Sequence, residues 1–185
     1  GGVAAAEMKP EDQRAFPQLV DAQDVYDPSV PAQLKVTNER FVGREQEIIQ
    51  VMQWLSPGAC MSVVATGGMG KSRLIDEALS RNQERVNAQF PDGVIRCELN
   101  VNGRLDDAMR HIVTSMDPDD DGKEIESKVR NWCSRRECLI VLDGAESVRE
   151  YEQEMGIQDL VGMLGKCGVI VTTRDQRDVV DRDRC

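Results

Sequence analysis

The sequence has few aromatic residues, little histidine and no long apolar run. Phe, Trp and Tyr make up 4% of its 185 residues, so a hydrophobic core has to be built mainly from aliphatic side chains. It contains one histidine and six cysteines without a C-x-x-C pair, which argues against a zinc site. No apolar stretch reaches the roughly 20 residues that a membrane-spanning helix needs. We therefore expect no membrane partner and the reduced, buried thiols of a cytoplasmic protein.

Positive charge is also scarce. Asp and Glu number 33 against 23 Lys and Arg, which gives a net charge of -10. A protein that binds nucleic acid mainly through its phosphates usually carries a basic stripe. Here the basic residues are scattered, apart from a short run within residues 130–136. Generic nucleic-acid binding is therefore disfavoured.

The chain divides into two parts. Residues 1–38 hold four of the seven prolines and no sustained periodicity, which is typical of a linker or an N-terminal arm. Residues 39–185 are predicted to form one domain. We expect this domain to be incomplete at its C-terminus and the chain to be a piece of a longer protein. Its amphipathic helical segments alternate with four apolar runs, at residues 60–65, 94–99, 138–142 and 168–172. This alternation predicts an α/β fold with a parallel sheet covered on both faces.

A glycine-rich segment follows the first apolar run. It reads Ala-Thr-Gly-Gly-Met-Gly-Lys-Ser over residues 65–72 and matches the pattern G-x-x-x-x-G-K-[ST], with Ala in the first place. Such a loop points backbone N–H groups at a polyphosphate, and the following helix adds its positive N-terminal end. We expect Lys71 to lie between the β- and γ-phosphates and the Ser72 hydroxyl to bind Mg²⁺. The predicted nucleotide contacts in this segment are Thr66, Gly67, Gly68, Met69, Gly70, Lys71, Ser72 and Arg73.

An acidic residue ends the third apolar run. Asp143 lies about seventy residues after the glycine-rich segment, and together with Ser72 it is predicted to hold Mg²⁺, in part through water. Gly144 occupies the position where many ATPases place a second acid that activates water. Glu146 is either a substitute for that acid or a solvated loop residue. The sequence therefore predicts slow hydrolysis.

The fourth apolar run ends in polar residues and a cation. Arg174 could reach the γ-phosphate and distinguish ATP from ADP by charge. The alternative is a surface arginine at the end of a strand. With Lys71 and Asp143, Arg174 completes the predicted catalytic set.

Taken together, these motifs resemble the NB-ARC domain of the STAND class of P-loop NTPases, from Phe41 to about Asp178. The segment Phe-Val-Gly-Arg-Glu at residues 41–45 is similar to the family's N-terminal motif, and residues 90–96 resemble the segment that enters its second strand. The resemblance implies that Val42, Gly43 and Arg44 contact the adenine nucleotide. Residues 67–72, 139–143 and 169–174 are similar to the family's Walker A, Walker B and sensor motifs.

The resemblance implies an ASCE-type P-loop fold whose sensor strand lies between the Walker A and Walker B strands. It also implies a switch in a larger signalling or defence protein, in which exchange of ADP for ATP permits homo-oligomerisation. The implied partners are ATP or ADP with Mg²⁺, the protein's own regions beyond Cys185 and an effector domain. The alternatives left open are an active AAA-type ATPase, a P-loop kinase and a degenerate scaffold. A GTPase is disfavoured because no [NT]-K-x-D string occurs.

Overall fold

The computed structural model describes residues 44–64, 70–99, 103–150, 155–175 and 180. The predicted arm at residues 1–38, and Val42, Gly43 and the segment 65–69 of the predicted site, lie outside the described residues. The helices are α1 (Glu45–Trp54), α2 (Lys71–Arg81), α3 (Gln83–Gln89), α4 (Leu105–Met116), α5 (Ile125–Cys133) and α6 (Ile157–Met163), with a 3-10 helix at Ala145–Glu150. The strands are β1 (Cys60–Val64), β2 (Val94–Glu98), β3 (Leu139–Asp143) and β4 (Gly168–Thr173).

The four strands form one parallel sheet in the order β1-β4-β3-β2. The strand that leads to Arg174 therefore lies between the strand that precedes the glycine-rich segment and the strand that ends at Asp143. This order confirms the predicted arrangement. Since all strands run the same way, their carboxyl ends share one edge, where ligands bind in open α/β sheets.

Successive side chains of each strand point to opposite faces of the sheet, which divides the core into two layers. Val94, Val141 and Ile170 pack with apolar residues of α1 and α2, whereas the intervening side chains pack against α4, α5 and α6 on the other face. Both faces of the sheet are thus covered by helices, as the continuous apolar runs predict. Among the described residues, none of the helices has the length and apolar character needed to cross a bilayer.

Two elements were not visible in the sequence pattern. Helix α3 has the sequence Gln-Glu-Arg-Val-Asn-Ala-Gln, in which Val86 is buried, so it shows almost no apolar periodicity. The 3-10 helix directly after Gly144 is similarly polar. Both are short connections whose conformation depends on the elements that they join.

The acidic loop between α4 and α5 folds back on a lysine of α5. Nζ of Lys128 lies 2.6 Å from Oδ2 of Asp120 and 2.6 Å from Oδ1 of Asp121. The backbone N–H groups of Gly122 and Lys123 donate to the same two carboxylates. The loop is therefore held by charge-assisted hydrogen bonds on the side of the domain that carries α4 and α5.

Candidate nucleotide-binding site

Helix α2 begins at the end of the glycine-rich segment. Gly70 precedes its first residue and has φ +69°, a left-handed conformation that glycine adopts without a steric penalty. The Leu74 N–H donates to the Gly70 carbonyl over 2.8 Å, which closes the first helical turn. Lys71 is the first helical residue and is buried, and Ser72 and Arg73 are half-buried in the same turn. The N–H groups of a first turn have no acceptor within their own helix, and an anion can supply one.

The carboxylate of Asp143 connects this helix to the sheet. Ser72 Oγ donates to Asp143 Oδ1 over 2.9 Å, although the two residues are 71 positions apart. Thr172, on the neighbouring strand β4, donates to the same oxygen over 2.5 Å. The register pairs Asp143 directly with Thr172, so the two side chains share one face at the carboxyl ends of their strands. The structure therefore brings together the hydroxyl and the carboxylate that the sequence predicted to share Mg²⁺.

The second oxygen of Asp143 is also occupied. Oδ2 accepts a hydrogen bond from Nη2 of Arg96, a buried residue of β2, and Nη1 of Arg96 donates to Asp76 of α2. Arg96, Asp76 and Thr172 are not among the site residues predicted from the sequence. The available signal was a charged residue inside an apolar strand, as in Val-Ile-Arg-Cys, because such a residue needs a buried partner.

The contacts of Asp143 keep it ionised although only 4% of the residue is exposed. Burial alone raises the pKa of this carboxyl group, since a charge is poorly solvated in the interior. Hydrogen bonds from Thr172 and Ser72 and the positive charge of Arg96 outweigh burial, so the pKa of Asp143 lies below its ordinary value. A deprotonated carboxylate is the form that binds a cation.

These donors fit Mg²⁺. The ion prefers hard oxygen ligands and is usually held by one or two protein groups together with water and substrate phosphates. The hydroxyl of Ser72 and the carboxylate of Asp143 are such a pair, and their 2.9 Å separation places them at one locus. Within the described parts of the chain, no group of three His, Cys, Asp or Glu residues is arranged to hold a metal by itself. A metal at this locus would therefore take its further ligands from water and from nucleotide phosphates.

Arg174 is placed at the same edge of the sheet, and its side chain contacts Glu146. The Arg174 side chain is 58% exposed, and its Nε lies 2.7 Å from Oε1 of Glu146. Burial raises the pKa of Glu146, but hydrogen bonds from the backbone and from Arg174 outweigh it and leave the pKa below its usual value. The role of Arg174 toward a γ-phosphate stays a prediction. Glu146 is neither a purely solvated residue nor an unpaired base.

The backbone conformation after Asp143 explains why position 144 carries glycine and not a second acid. Gly144 has φ +88°, which is unfavourable for any residue with a Cβ atom. Its N–H donates to the Thr172 carbonyl over 3.2 Å and to Thr172 Oγ1 over 3.0 Å. The chain leaves β3 through this left-handed turn, so the 144 position suits glycine and not glutamate or aspartate.

Arg44 lies beside the start of α2. It precedes α1 with φ +68°, and its Nε is 3.3 Å from Oε1 of Glu47. A Cβ atom placed on Gly70 would be 3.8 Å from Nη1 of Arg44, so the guanidinium group adjoins the last residue of the glycine-rich segment. Arg44 also lines a cavity of about 430 Å³ between α1 and β1, whose walls include Val51 and Leu74. The predicted contact of Arg44 with the nucleotide stays a prediction.

The comparison with protein families identifies the domain. The sequence profile of the NB-ARC domain matches residues 44–185, which is more than half of the chain. The chain belongs to the NB-ARC domain family. NB-ARC domains bind nucleotide, and the order β1-β4-β3-β2 is that of an ASCE-type P-loop NTPase. No curated protein matches the chain in sequence.

Two solved structures resemble this NB-ARC domain in fold. Cdc6p from Pyrobaculum aerophilum matches with a TM-score of 0.54 and 14% identity, over 86% of this chain and 46% of that chain. A structure of Drosophila ORC bound to DNA matches with a TM-score of 0.54 and 14% identity, over 95% of this chain and 46% of that chain. The chain thus spans less than half of the length of either protein. At this identity the likeness shows a shared fold and carries no information on ligands.

Proposed function

We propose that this NB-ARC domain is an ADP/ATP-binding switch with slow hydrolysis, part of a larger signalling or defence protein. The observation that carries the proposal is the 2.9 Å hydrogen bond between Ser72, in the first turn of α2, and Asp143, at the carboxyl end of β3. It joins the two motifs that hold a Mg-nucleotide in P-loop proteins. The buried Lys71 lies next to it in the same helical turn.

The charges of the site suit a polyphosphate. Lys71 and Arg44 supply positive charge, and the N-terminal end of α2 adds the partial charge of the helix dipole. Ser72 and Asp143 would hold Mg²⁺, which would neutralise part of the phosphate charge when bound. Residues 42 and 43 are expected to contact the adenine, and residues 66–69 are expected to wrap the phosphates through their N–H groups.

Slow turnover follows from the surroundings of Asp143. Position 144 is a glycine in a left-handed turn, so it supplies no second carboxylate. The nearest carboxylate after it, Glu146, is paired with Arg174 and has a lowered pKa. A general base works best with a pKa near the working pH, so an ion-paired glutamate activates water poorly. A domain that holds ATP without cleaving it quickly is suited to a switch, in which ATP would permit homo-oligomerisation and ADP would not.

Binding of ADP and ATP to the purified chain, measured by calorimetry with and without Mg²⁺, tests this proposal. We expect binding of both nucleotides and a gain in ATP affinity with Mg²⁺. Lys71→Ala should abolish binding, while Lys123→Ala, a matched change at a lysine whose side chain is 81% exposed, should not alter it. Light scattering with each nucleotide then compares the mass of the ADP- and ATP-bound forms.

Three results would overturn the proposal. Equal behaviour of wild type and Lys71→Ala would mean that the loop binds no phosphate, as expected for a degenerate scaffold. Multiple turnover at about one per second or faster would indicate a working ATPase. Phosphate transfer from ATP to a small-molecule acceptor would indicate a kinase.

A further inference from the structure

A buried arginine lies beside the predicted nucleotide site, where none of the P-loop motifs requires one. Arg96 is in the middle of β2 with 4% of its surface exposed, and it lies on the face of the sheet that α2 covers. Burying a guanidinium group is costly unless charged partners surround it. Its two partners are Asp76 and Asp143, both buried, and each is contacted by one terminal nitrogen of the guanidinium fork.

These contacts form a chain of hydrogen bonds across three elements, and the backbone of α2 closes it into a ring. Asp76 follows Ser72 by four residues, so the two side chains lie on the same face of α2. Ser72 donates to Asp143, Asp143 accepts from Arg96, and Arg96 donates back to Asp76. The first turns of α2, the middle of β2 and the end of β3 are thereby connected through charge-assisted hydrogen bonds.

The ring determines which way the Asp143 carboxylate faces. Arg96 engages Oδ2, so Oδ1 is turned toward Ser72 and Thr172. A planar guanidinium group anchored by Asp76 cannot follow a rotation of Asp143, so rotation would break the buried ion pair between Arg96 and Asp143. Among the described residues nothing accepts a hydrogen bond from Nε of Arg96, so its contacts are concentrated on the two carboxylates.

We propose that Arg96 is a positioning residue that, anchored by Asp76, holds Asp143 in the orientation needed to share Mg²⁺ with Ser72. The inference rests on the proposed function of the site and adds a specific part to it. Partners of metal-binding carboxylates commonly tune metal affinity by about 10- to 100-fold. The ability of Lys to replace Arg is a sharp criterion, because Lys keeps the charge but lacks the rigid planar fork that places a separate nitrogen on each of the two carboxylates.

The test compares Arg96→Lys and Arg96→Met with wild type by calorimetry. The measured quantity is the ratio of ATP affinities with Mg²⁺ and with a chelator. We expect both variants to lower this ratio about tenfold or more, while affinity in the chelator stays within about twofold of wild type. Arg81→Met is the matched control, since Arg81 forms a part-buried ion pair with Glu77 of the same helix, 2.7 Å apart and distant in sequence from Asp143.

A second readout does not depend on nucleotide. Crystal structures of nucleotide-free wild type and Arg96→Lys should show the Ser72 Oγ–Asp143 Oδ1 hydrogen bond in the first and its loss in the second. If Arg96→Met fails to fold, Arg96→Lys decides both readouts. An unchanged Mg²⁺-dependent ratio, or an unmoved Asp143 carboxylate, would show that Arg96 is only a structural ion pair. Absence of Mg²⁺-dependent binding in wild type would instead refute the proposed function, and the two crystal structures would still decide the role of Arg96.

Discussion

The Nε atom of Arg174 donates a 2.7 Å hydrogen bond to Oε1 of Glu146, and the Arg174 backbone N–H donates to Oε2 of the same carboxylate over 3.2 Å. The pairing connects the loop after β3 with the loop after β4. Glu146 and Arg174, the two residues for which the sequence suggested roles near the γ-phosphate, are therefore paired with each other. The side-chain contact of Arg174 with Glu146 is made through Nε, one of the three nitrogens of its guanidinium group.

Replacing Glu146 should therefore change hydrolysis little. In Glu146→Gln we expect a steady-state ATPase rate within about tenfold of a slow wild type, because a paired carboxylate with a lowered pKa is not acting as the base. Removal of a true general base would lower the hydrolysis rate about 10²- to 10⁴-fold. Phosphate release under multiple turnover measures the rate, with Glu126→Gln, at an exposed position of α5, as the control. A loss of a hundredfold or more would identify Glu146 as the base.

Much of the architecture could be predicted because its signals are local. Four apolar runs separated by amphipathic helices indicate parallel strands, and parallel strands place their carboxyl ends at one edge. The meeting of Ser72 and Asp143 follows from that geometry once the glycine-rich segment and the third apolar run are recognised. Two strands end one residue later than the sequence predicts, since β3 extends to Asp143 and β4 to Thr173.

The remaining features depend on contacts that no local pattern encodes. The ring through Arg96 requires the register of β2 on β3 and the rotation of α2 over them. The pairing of Glu146 with Arg174 depends on the paths of two loops 28 residues apart in sequence. The left-handed conformation of Gly144 explains why this position carries no acid, but glycine in a sequence does not reveal its φ value.

The buried hydroxyl of Thr172 should contribute to stability. It donates to Asp143 and accepts from the Gly144 N–H, and the residue is fully buried. Thr172→Val keeps the shape and removes both hydrogen bonds, so we expect a loss of about 1–3 kcal/mol in the free energy of unfolding. Urea denaturation of the chain measures this loss. The matched change is Thr114→Val, at an exposed threonine whose hydroxyl donates to the carbonyls of Arg110 and His111 in α4. It should stay within about 0.5 kcal/mol of wild type, and equal effects of the two changes would contradict the assigned role.

The contacts of Lys128 predict a pH-dependent contribution to stability. Hydrogen bonds from Lys128 lower the pKa of Asp120 and of Asp121, and these carboxylates raise the pKa of Lys128. The stability that the two carboxylates contribute is fully present above about pH 3.9, and it is lost as the pH falls through their lowered pKa values. The stability that Lys128 contributes is fully present below about pH 10.4, and it is lost as the pH rises through its raised pKa.

Lys128→Met should therefore lower the melting temperature most between those limits, with the difference from wild type shrinking toward pH 2. Thermal unfolding monitored by circular dichroism across this range measures it. Lys123→Met is the control, because its Nζ is 4.0 Å from Asp121 and its side chain is 81% exposed. A difference between Lys128→Met and wild type that is independent of pH would show that packing of the lysine stem, and not its charge, matters.

Substitution by alanine is predicted to have opposite effects at two glycines, one at the start of β4 and one in α6. A Cβ atom on Gly168 would lie 2.6 Å from Cε1 of Phe90 and 3.1 Å from the Ser56 carbonyl oxygen. The Phe90 ring is 1% exposed and cannot move away easily, so Gly168→Ala should cost about 1–3 kcal/mol in the free energy of unfolding. Gly162 is exposed within α6, where alanine is the better helix former, so Gly162→Ala should stabilise by about 0.5–1 kcal/mol. Urea denaturation measures both variants. Tolerance of Gly168→Ala would contradict the packing of Phe90 against β4, and destabilisation by Gly162→Ala would contradict the exposed helical position assigned to Gly162.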